Sequence, residues 1–435
     1  DLADLDRRFV LGTADVTLSG TTRTAPTLDT GYSVESLTIN SSSSFTLGGS
    51  STLTLGSALT SGGSASNQYI DTPIALGGDL AITSNTSFLY LRGAISGTGN
   101  LTLSGTGRVI FGADNTFTGT VSASNLSVWF GYYGVPSGGS ISGNLALGGT
   151  TNLQNSRAND LTYSGSISGS STSNYVSLNG AGASGNIVTT FTGNNTYAGS
   201  TQIYGGATLK IGAENTLATT NFVTVQSTGL LWVAENQTLA GVSNNFGGHV
   251  QIDSGKTLTI STASSPSGGS TMDMTGGGSL VKTGAGEYSF SGGTINLPAG
   301  ITVNQGTFTA SGTATVTAPI TNNATVKFSP TSSVSYAGIL SGAGGITKAG
   351  TGTLTLSGAN TYSGILSITA GRVIADATDT LPANSRVALS STGVLEVAAN
   401  QTLSSVTGSS TNTVQITSGS TLTVNNSTST SLGST

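Results

Sequence analysis

The chain has 435 residues, a formal net charge of −5 and a pI of about 4.7. Gly, Ser and Thr account for 202 residues (64, 66 and 72), and only 7% of residues are charged, against roughly 25% in a typical soluble domain. This composition disfavours helical domains, because Gly, Ser and Thr are weak helix formers. The acidic balance predicts no nucleic-acid partner, and no apolar run is long enough to cross a bilayer, so no membrane-spanning helix is predicted in this segment.

Residues 1–15 form the first predicted element, a charged N-terminal segment in a chain that is otherwise almost uncharged. Asp4, Asp6, Arg7 and Arg8 fall within its first eight residues. Solenoid proteins carry polar end units that cover the first coil. We therefore predict a cap or an end contact here; the alternative is a frayed, solvated terminus.

Residues 16–435 consist of short strands in which apolar residues alternate with Thr. Examples are Leu101-Thr102-Leu103, Leu258-Thr259-Ile260 and Leu354-Thr355-Leu356. Successive side chains of a strand point to opposite faces, so the Leu and Ile side chains should point inward and the Thr side chains outward. Gly, Asn and Ser separate the strands and predict turns.

Internal repeats identify the architecture. Residues 96–119 align without a gap to 341–364 with 10 of 24 positions identical, and residues 227–242 align to 391–406 with 11 of 16 identical. These offsets indicate a coil of roughly 20–25 residues, in the usual range for solenoids. We predict an all-β parallel β-helix (β-solenoid), a single elongated rod of roughly 18–21 coils, with repeat copies near 96–125, 190–265 and 341–426. A β-sandwich is the rival fold, but it does not predict gapless self-similarity.

The densest aromatic cluster is Trp129, Phe130, Tyr132 and Tyr133. Alternation places Trp129 and Phe130 on opposite faces, so at least one ring should face outward. An exposed aromatic patch is typical of a sugar-stacking platform or another contact surface. The alternative is a locally wider coil or a loop folded over the core. The other tryptophan, Trp232, aligns with Glu396, which predicts an outward position.

Aromatic residues also recur two positions after an Asn and two before a Gly. The three copies are Asn115-Phe117-Gly119, Asn195-Tyr197-Gly199 and Asn360-Tyr362-Gly364. A repeated ligand site is one interpretation. We favour a structural one, an Asn turn followed by a ring that packs at a corner, because the spacing is that of the fold itself.

The sequence predicts no catalytic residue, no metal ligand and no cofactor. The 13 Asp and 5 Glu residues are scattered, and the nearest candidates, Asp376, Asp379 and Glu214, lie in a turn. His249 is the only histidine and cysteine is absent, so no His/Cys zinc site can be built. We expect His249 to be a surface residue.

Residues 350–374 resemble the autotransporter-associated β-strand repeat, also called the passenger-associated transport repeat. The shared pattern is G-x-G-x-L-x-L-x-G-x-N-T-Y-x-G, followed by a short strand and A-G-x-V. Two partial copies are residues 190–217 and residues 105–119. The resemblance implies an exported right-handed β-helix on a bacterial cell surface. In that family the repeat is associated with secretion and passenger folding rather than with catalysis.

We therefore expect a non-enzymatic extracellular protein, a stalk, fibre or surface-layer component that self-assembles through its ends. A carbohydrate- or surface-binding adhesin is the alternative, with glycans or a host or biofilm surface as partners, and a polysaccharide lyase or glycosidase is a third candidate. Residues 421–426 still read as a strand and turn. The last coil is therefore expected to be covered by a further stretch of the precursor or by another copy, head to tail or laterally.

Overall fold

The computed structural model describes residues 13–21, 24–132, 138–180, 187–244, 247–262 and 271–425. All regular secondary structure in these ranges is β-strand, and no helix there has the length and hydropathy needed to cross a membrane. Contacts divide the chain into two units, Asp1–Asn221 and Phe222–Thr435. The residues predicted to make end contacts lie outside the described residues; they are Asp4, Asp6, Arg7 and Arg8.

The strands of the first unit, numbered in chain order, form three parallel sheets. The first sheet contains β1 Asp15–Ser19, β2 Tyr32–Asn40, β4 Leu53–Gly62, β6 Ile74–Leu76, β7 Leu80–Ser84, β9 Ile95–Ser96, β10 Leu101–Gly105, β12 Val121–Ser124, β14 Leu145–Gly148 and β17 Ile167–Ser168. The second contains β3 Phe45–Leu47, β5 Asn67–Ile70, β8 Phe88–Leu91, β11 Arg108–Phe111, β13 Ser127–Phe130, β15 Asn152–Asn155, β18 Tyr175–Asn179 and β20 Ser200–Tyr204. The third contains β16 Leu161–Tyr163, β19 Ile187–Phe191 and β21 Ala207–Ile211.

The second unit is built in the same way from shorter strands. One group is β22 Phe222–Val225 with β25 Gly241–Ser243, and the next is β23 Leu230–Val233, β26 His249–Ile252, β28 Asp273–Thr275, β31 Thr294–Asn296 and β34 Thr315–Val316. A third sheet contains β24 Gln237–Leu239, β27 Thr257–Ile260, β29 Ser279–Lys282, β32 Ile301–Val303, β35 Ile320–Asn322 and β38 Leu340–Ser341. A fourth contains β30 Glu287–Phe290, β33 Thr307–Gly312, β36 Thr325–Pro330, β39 Gly345–Lys348, β41 Ile365–Ile368, β43 Arg386–Leu389 and β46 Ser405–Thr407. A fifth sheet contains β37 Val334–Tyr336, β40 Thr353–Leu356, β42 Arg372–Ala375, β44 Val394–Val397 and β47 Thr413–Ile416. The last is the pair β45 Gln401–Leu403 and β48 Leu422–Val424.

Each strand pairs with the equivalent strand of the next coil, in parallel. In the first unit one column of paired residues runs through Leu80, Leu101, Val121, Leu145 and Ile167, and the step from Leu101 to Val121 is shorter than the step from Val121 to Leu145. In the second unit the equivalent column is Leu258, Leu280, Ile301, Ile320 and Leu340, again with unequal steps. The two units together contain about 18 coils, and the predicted all-β parallel β-solenoid is confirmed.

The core is the stack of inward-facing apolar side chains. Leu101, Leu103, Leu354 and Leu356 are at most 1% exposed, as are Leu258 and Ile260. Thr102 is exposed, and Thr259 and Thr355 are half-buried on the outer face. The predicted orientation of these strands is therefore confirmed, because in-register parallel pairing places like residues of successive coils above one another.

Two lysines occupy inward positions within this apolar stack. Lys282 lies in register between Ile260 and Val303, Lys348 between Phe328 and Ile368, and both side chains are fully buried. Hydrogen bonds explain how this burial is tolerated: Lys348 Nζ donates to the carbonyl oxygens of Ala349 (2.7 Å), Gly350 (2.9 Å) and Ala370 (3.0 Å), and Lys282 Nζ to that of Gly284. Burial lowers the pKa of Lys348 to about 8 and also lowers the pKa of Lys282.

The last described coil is open on its inward face. Ile416 is 49% exposed and Val424 39%, whereas Val397 and Leu403, which pair with them one coil earlier, are fully buried. Residues 426–435 lie outside the described residues. Within the described residues, therefore, apolar side chains that would be core in any other coil face solvent.

Candidate functional site

The first unit carries an aromatic surface on the outer face of its second sheet. Tyr69, Tyr90, Ile110 and Trp129 are register partners on β5, β8, β11 and β13. Their chain neighbours on the inner face are core residues; these are Ile70, Leu91, Phe111 and Phe130, all at most 2% exposed. Alternation along each strand and in-register stacking between strands together collect these outward rings in one place.

The rings contact one another across successive coils. Tyr69 and Tyr90 stack with centroids 4.7 Å apart, and Tyr90 meets Tyr132 edge-on at 5.1 Å. Phe88 lies 5.8 Å from Tyr90 and 6.0 Å from Trp129. We call these five residues, Tyr69, Phe88, Tyr90, Trp129 and Tyr132, the aromatic strip. All five are half-buried, so part of each ring faces solvent.

Ile110 shows that the aromatic strip also serves packing. It points outward on β11 but is fully buried, because it lies between Tyr90 and Trp129 in the register. Burial also raises the pKa of the Tyr90 hydroxyl. The strip is thus a small hydrophobic cluster outside the main core as well as an exposed aromatic surface.

Two arginines lie over the aromatic strip, and they differ in whether a described carboxylate pairs with the guanidinium. The Arg92 guanidinium is 4.4 Å from the Tyr69 centroid and forms a fork with Asp71, at 2.6 Å from Nε to Oδ1 and 2.7 Å from Nη2 to Oδ2. The Arg108 guanidinium is 4.8 Å from the Phe88 centroid and 5.6 Å from that of Trp129. Among the described residues Arg108 has no ion pair, and its guanidinium has no hydrogen-bond acceptor.

An open groove of about 290 Å³ adjoins the strip at Arg108. Its lining includes Arg108, Asn125 and four hydroxyl residues: Ser87, Thr106, Ser127 and Thr150. Asn125 has a left-handed backbone (φ 60°), and its Oδ1 accepts a hydrogen bond of 3.2 Å from the Thr150 N–H. No carboxylate of the described residues lines the groove, so the formal charge that they give it is that of Arg108.

The structure divides the predicted aromatic cluster. Trp129 and Tyr132 belong to the aromatic strip, whereas Tyr133 lies outside the described residues. Phe130 is not part of a contact surface: it is 2% exposed and packs in the core at 6.3 Å from Phe111 and 6.2 Å from Tyr163. Alternation required that one of the two neighbouring rings point inward, and it is Phe130.

Sequence reasoning missed most of the aromatic strip. Phe88, Tyr90 and Arg92 alternate along one short stretch, but Tyr69 and Arg108 lie about one coil away on either side, so no single segment contains the whole set. The available signal was their spacing: Tyr69, Tyr90, Ile110 and Trp129 follow one another at intervals of one coil. That interval varies between coils, so the register is needed to recognise the column.

The repeated Asn residues form buried corners that connect successive coils. Each Asn Oδ1 accepts a hydrogen bond from a backbone N–H of the coil before, Asn115 from Ile95 (2.7 Å), Asn195 from Ile167 (2.8 Å) and Asn360 from Leu340 (2.8 Å). The rings that follow are fully buried; they are Phe117, Tyr197 and Tyr362. These residues are therefore corner packing rather than a repeated ligand site.

The glycines of the same motif are needed for close approach. A Cβ at Gly119, Gly199 or Gly364 would lie 1.7–2.0 Å from a carbonyl oxygen of the preceding coil. None of the three has a positive φ, so backbone conformation does not require glycine at these positions. The coils come together so closely at this corner that no side chain fits.

The carboxylates and the histidine behave as solvated residues. Asp376, Asp379 and Glu214 are exposed, and Asp379 adopts a left-handed turn (φ 49°), as does Asn215 at the aligned position. His249 is exposed, with Nδ1 3.7 Å from a carboxylate oxygen of Asp273. The described residues contain no group of three or more His, Asp or Glu side chains placed to hold a metal ion.

Trp232 lies on the outer face, as predicted, and its indole N–H donates to Asp253 Oδ1 at 2.9 Å. Glu396, at the aligned position of the other repeat copy, also lies on the outer face and pairs with Arg372. This position of the repeat therefore accepts both side chains, each with a polar partner on a neighbouring coil.

These features define a repeat protein of the parallel β-solenoid class with an aromatic surface on one unit. The family model of the passenger-associated transport repeat matches residues 188–211 and 346–375. These two segments contain the Asn195 and Asn360 corners. A search of curated proteins and a search of solved structures gave no significant match. These two segments are thus similar to the passenger-associated transport repeat, and the β-solenoid fold fits that of an autotransporter passenger β-helix.

Proposed function

We propose that this protein is a non-catalytic structural passenger, a stalk, fibre or surface-layer component on a bacterial cell surface. The observation that supports this is the core of each unit: within a unit, successive described coils add apolar side chains to a stack, and a corner such as Asn360 is bonded to the coils before and after it. Each coil contacts only its neighbours, so the hydrogen-bond ladders and apolar contacts between successive coils stabilise the stack. The repeat itself is typical of proteins secreted to the cell surface.

Location is tested by labelling intact cells with an antibody against the second unit, with permeabilised cells as the control. Labelling of intact cells supports the proposal. Labelling that appears only after permeabilisation overturns it.

Absence of catalysis is tested by incubating the purified chain with acidic and neutral polysaccharides. We expect no product from polygalacturonate, alginate or neutral glucans. Reproducible product formation that is lost in Asp376→Asn or Asp379→Asn would assign lyase or glycosidase activity to the exposed turn and overturn the structural proposal.

The open inward face of the last described coil supports an end contact as part of this function. We propose that a further β-coil covers Ile416 and Val424, supplied by a further stretch of the precursor or by the first coil of another copy. Sedimentation of the chain at rising concentration tests the second source. Concentration-dependent filaments that Ile416→Asp abolishes support assembly of copies, whereas a monomer at all concentrations removes another copy as the source.

A second candidate function, a carbohydrate-binding adhesin, is supported by the aromatic strip. Aromatic faces stack on the apolar faces of sugar rings, and their edges reach polar groups nearby. The test is a glycan screen with the wild type, Trp129→Ala and Trp232→Ala. The last variant removes the chain's other tryptophan, which lies on the outer face of the second unit. Binding lost only in Trp129→Ala supports an adhesin role, and binding unaffected by both variants removes the strip from consideration.

A further inference from the structure

We propose that Arg108 and the groove beside the aromatic strip bind the carboxylate of an acidic saccharide, such as a uronic acid unit of a polysaccharide. This inference rests on the carbohydrate-binding candidate function. It adds the chemical class of the ligand and the residue that selects it.

Arg108 packs against the aromatic strip, and its guanidinium donors are available within the described part of the chain. Its guanidinium lies over two rings, 4.8 Å from the Phe88 centroid and 5.6 Å from the Trp129 centroid, which fixes the plane of the group. A guanidinium presents five N–H donors in a fork that matches a carboxylate. Among the described residues none of these donors has an acceptor.

Arg92 shows that the same surface neutralises an arginine where no ligand is needed. Its guanidinium also lies over a ring, Tyr69, but Asp71 satisfies it with two hydrogen bonds. Arg108 has no such partner in the described residues, although the chain as a whole is acidic. An anionic ligand would supply the missing carboxylate.

The groove supplies the polar contacts that a sugar requires. Ser87, Thr106, Ser127 and Thr150 line it with hydroxyl side chains, which can donate and accept hydrogen bonds. Its volume of about 290 Å³ is near the lower end of ligand pockets, so it suits a short segment of a saccharide. The adjoining rings of Phe88 and Trp129 offer faces for the next sugar unit.

The charge distribution favours a carboxylated sugar over a nucleic acid. Binding of a nucleic acid needs a run of cations that contact several phosphates. Here one available arginine lies in an otherwise neutral, hydroxyl-lined groove on a chain of net charge −5. That arrangement matches a ligand with one carboxylate per unit and many hydroxyl groups.

The experiment measures, by calorimetry, binding of an oligogalacturonate and of its methyl ester, which retains the sugar rings but has no charge. The proteins are the wild type, Trp129→Ala, Arg108→Gln, Arg108→Lys and Arg386→Gln. The last is the charge-matched control, because Arg386 is an exposed arginine of the second unit and its loss changes the net charge equally. An aspartate oligopeptide of equal charge is the control for ligand class.

We expect the acid to bind about tenfold or more tightly than the ester. Arg108→Gln should remove this preference, Arg108→Lys should retain part of it, and Arg386→Gln should leave it unchanged. Hydrogen exchange of β8, β11 and β13 verifies that the variants are folded, and if Arg108→Gln fails this check, Arg108→Lys becomes the decisive comparison.

Each other outcome overturns the inference in a different way. Equal binding of acid and ester that Trp129→Ala abolishes leaves the carbohydrate-binding function intact and removes the role of Arg108. Equal binding of the peptide and the acid shows a non-specific ionic contact. Binding of neither saccharide removes the inference, and the glycan screen with Trp129→Ala then decides the adhesin function separately.

Discussion

Replacement of the corner residue Asn360 by Ala tests how the coils are held together. In the folded protein Asn360 Oδ1 accepts the Leu340 N–H at 2.8 Å, and its Nδ2 donates to the Thr380 carbonyl at 2.8 Å. The Asn360 side chain is buried, so the alanine variant leaves a backbone donor on one neighbouring coil and a backbone acceptor on the other without a partner.

The magnitude follows from the two groups left unpaired. Each buried polar group that loses its partner costs about 1–3 kcal/mol, so Asn360→Ala should reduce local stability by about 2–6 kcal/mol. Asn323→Ala is the matched control. Asn323 is exposed, and its Nδ2 donates at 3.1 Å to Asn304 Oδ1 on the surface, so its loss should cost no more than about 0.5 kcal/mol.

Hydrogen exchange is the appropriate assay, because long repeat arrays open locally and do not unfold in one step. Lowering the free energy of local opening by about 2 kcal/mol raises the population of the open state, and with it the exchange rate, about thirtyfold. The Leu340 amide should therefore exchange at least that much faster in Asn360→Ala than in Asn323→Ala. Equal protection of this amide in the two variants would refute the role assigned to the corner. Equal urea midpoints for the two variants would point the same way.

Three further predictions concern the core and the close contacts between coils. In the unfolded chain Lys348 keeps its proton up to its ordinary pKa of 10.5, whereas folded Lys348 loses it above about pH 8. Between about pH 8 and pH 10.5 the unfolded state therefore binds more protons, so the free energy of unfolding of the wild type should rise with pH in this range. Lys348→Met should not show this rise. Urea denaturation at a series of pH values measures it. Leu356→Asp should lower the free energy of unfolding by at least about 2–5 kcal/mol from lost packing alone, and Thr355→Asp by about 0.5 kcal/mol. Thermal melts of the two variants measure the difference, and similar losses would show that the inward and outward faces are assigned wrongly. Gly364→Ala should destabilise the protein by about 1–3 kcal/mol or more, because the new Cβ would lie 1.9 Å from the Gly344 carbonyl oxygen. Gly345→Ala is the control, since its new Cβ would meet no atom within 4 Å. Equal melting temperatures for these two variants would contradict the close approach at Gly364.

Much of the fold was predictable because its information is local. Alternation of Leu and Thr in residues 354–356 determines which face is buried, since the side-chain period of a strand is two. The aligned segments at 96–119 and 341–364 indicate stacked coils, since one strand–turn unit cannot bury its apolar face alone. The Asn-x-aromatic-x-Gly motif predicted a corner, and the buried Asn360 and Tyr362 occupy one.

The aromatic strip could not be predicted from local pattern. Tyr69, Tyr90, Ile110 and Trp129 become neighbours only through the register between coils. Because coil length varies along the columns of paired residues in both units, a fixed period does not bring them together on paper. The pairing of Arg92 with Asp71, which leaves Arg108 as the available cation, depends on the same register.

The buried lysines mark the same division between sequence and tertiary structure. Alternation from Ile346 places Lys348 on the inward face, and on that basis alone a charged side chain in the core would be excluded. Only the folded coil shows that three carbonyl oxygens converge on its ammonium group, two from its own turn and one from the next coil. The sequence by itself determined which faces of the strands are apolar, because that property belongs to single strands. The tertiary structure decided which polar and aromatic groups meet, because those contacts join residues a full coil apart at intervals that vary from coil to coil.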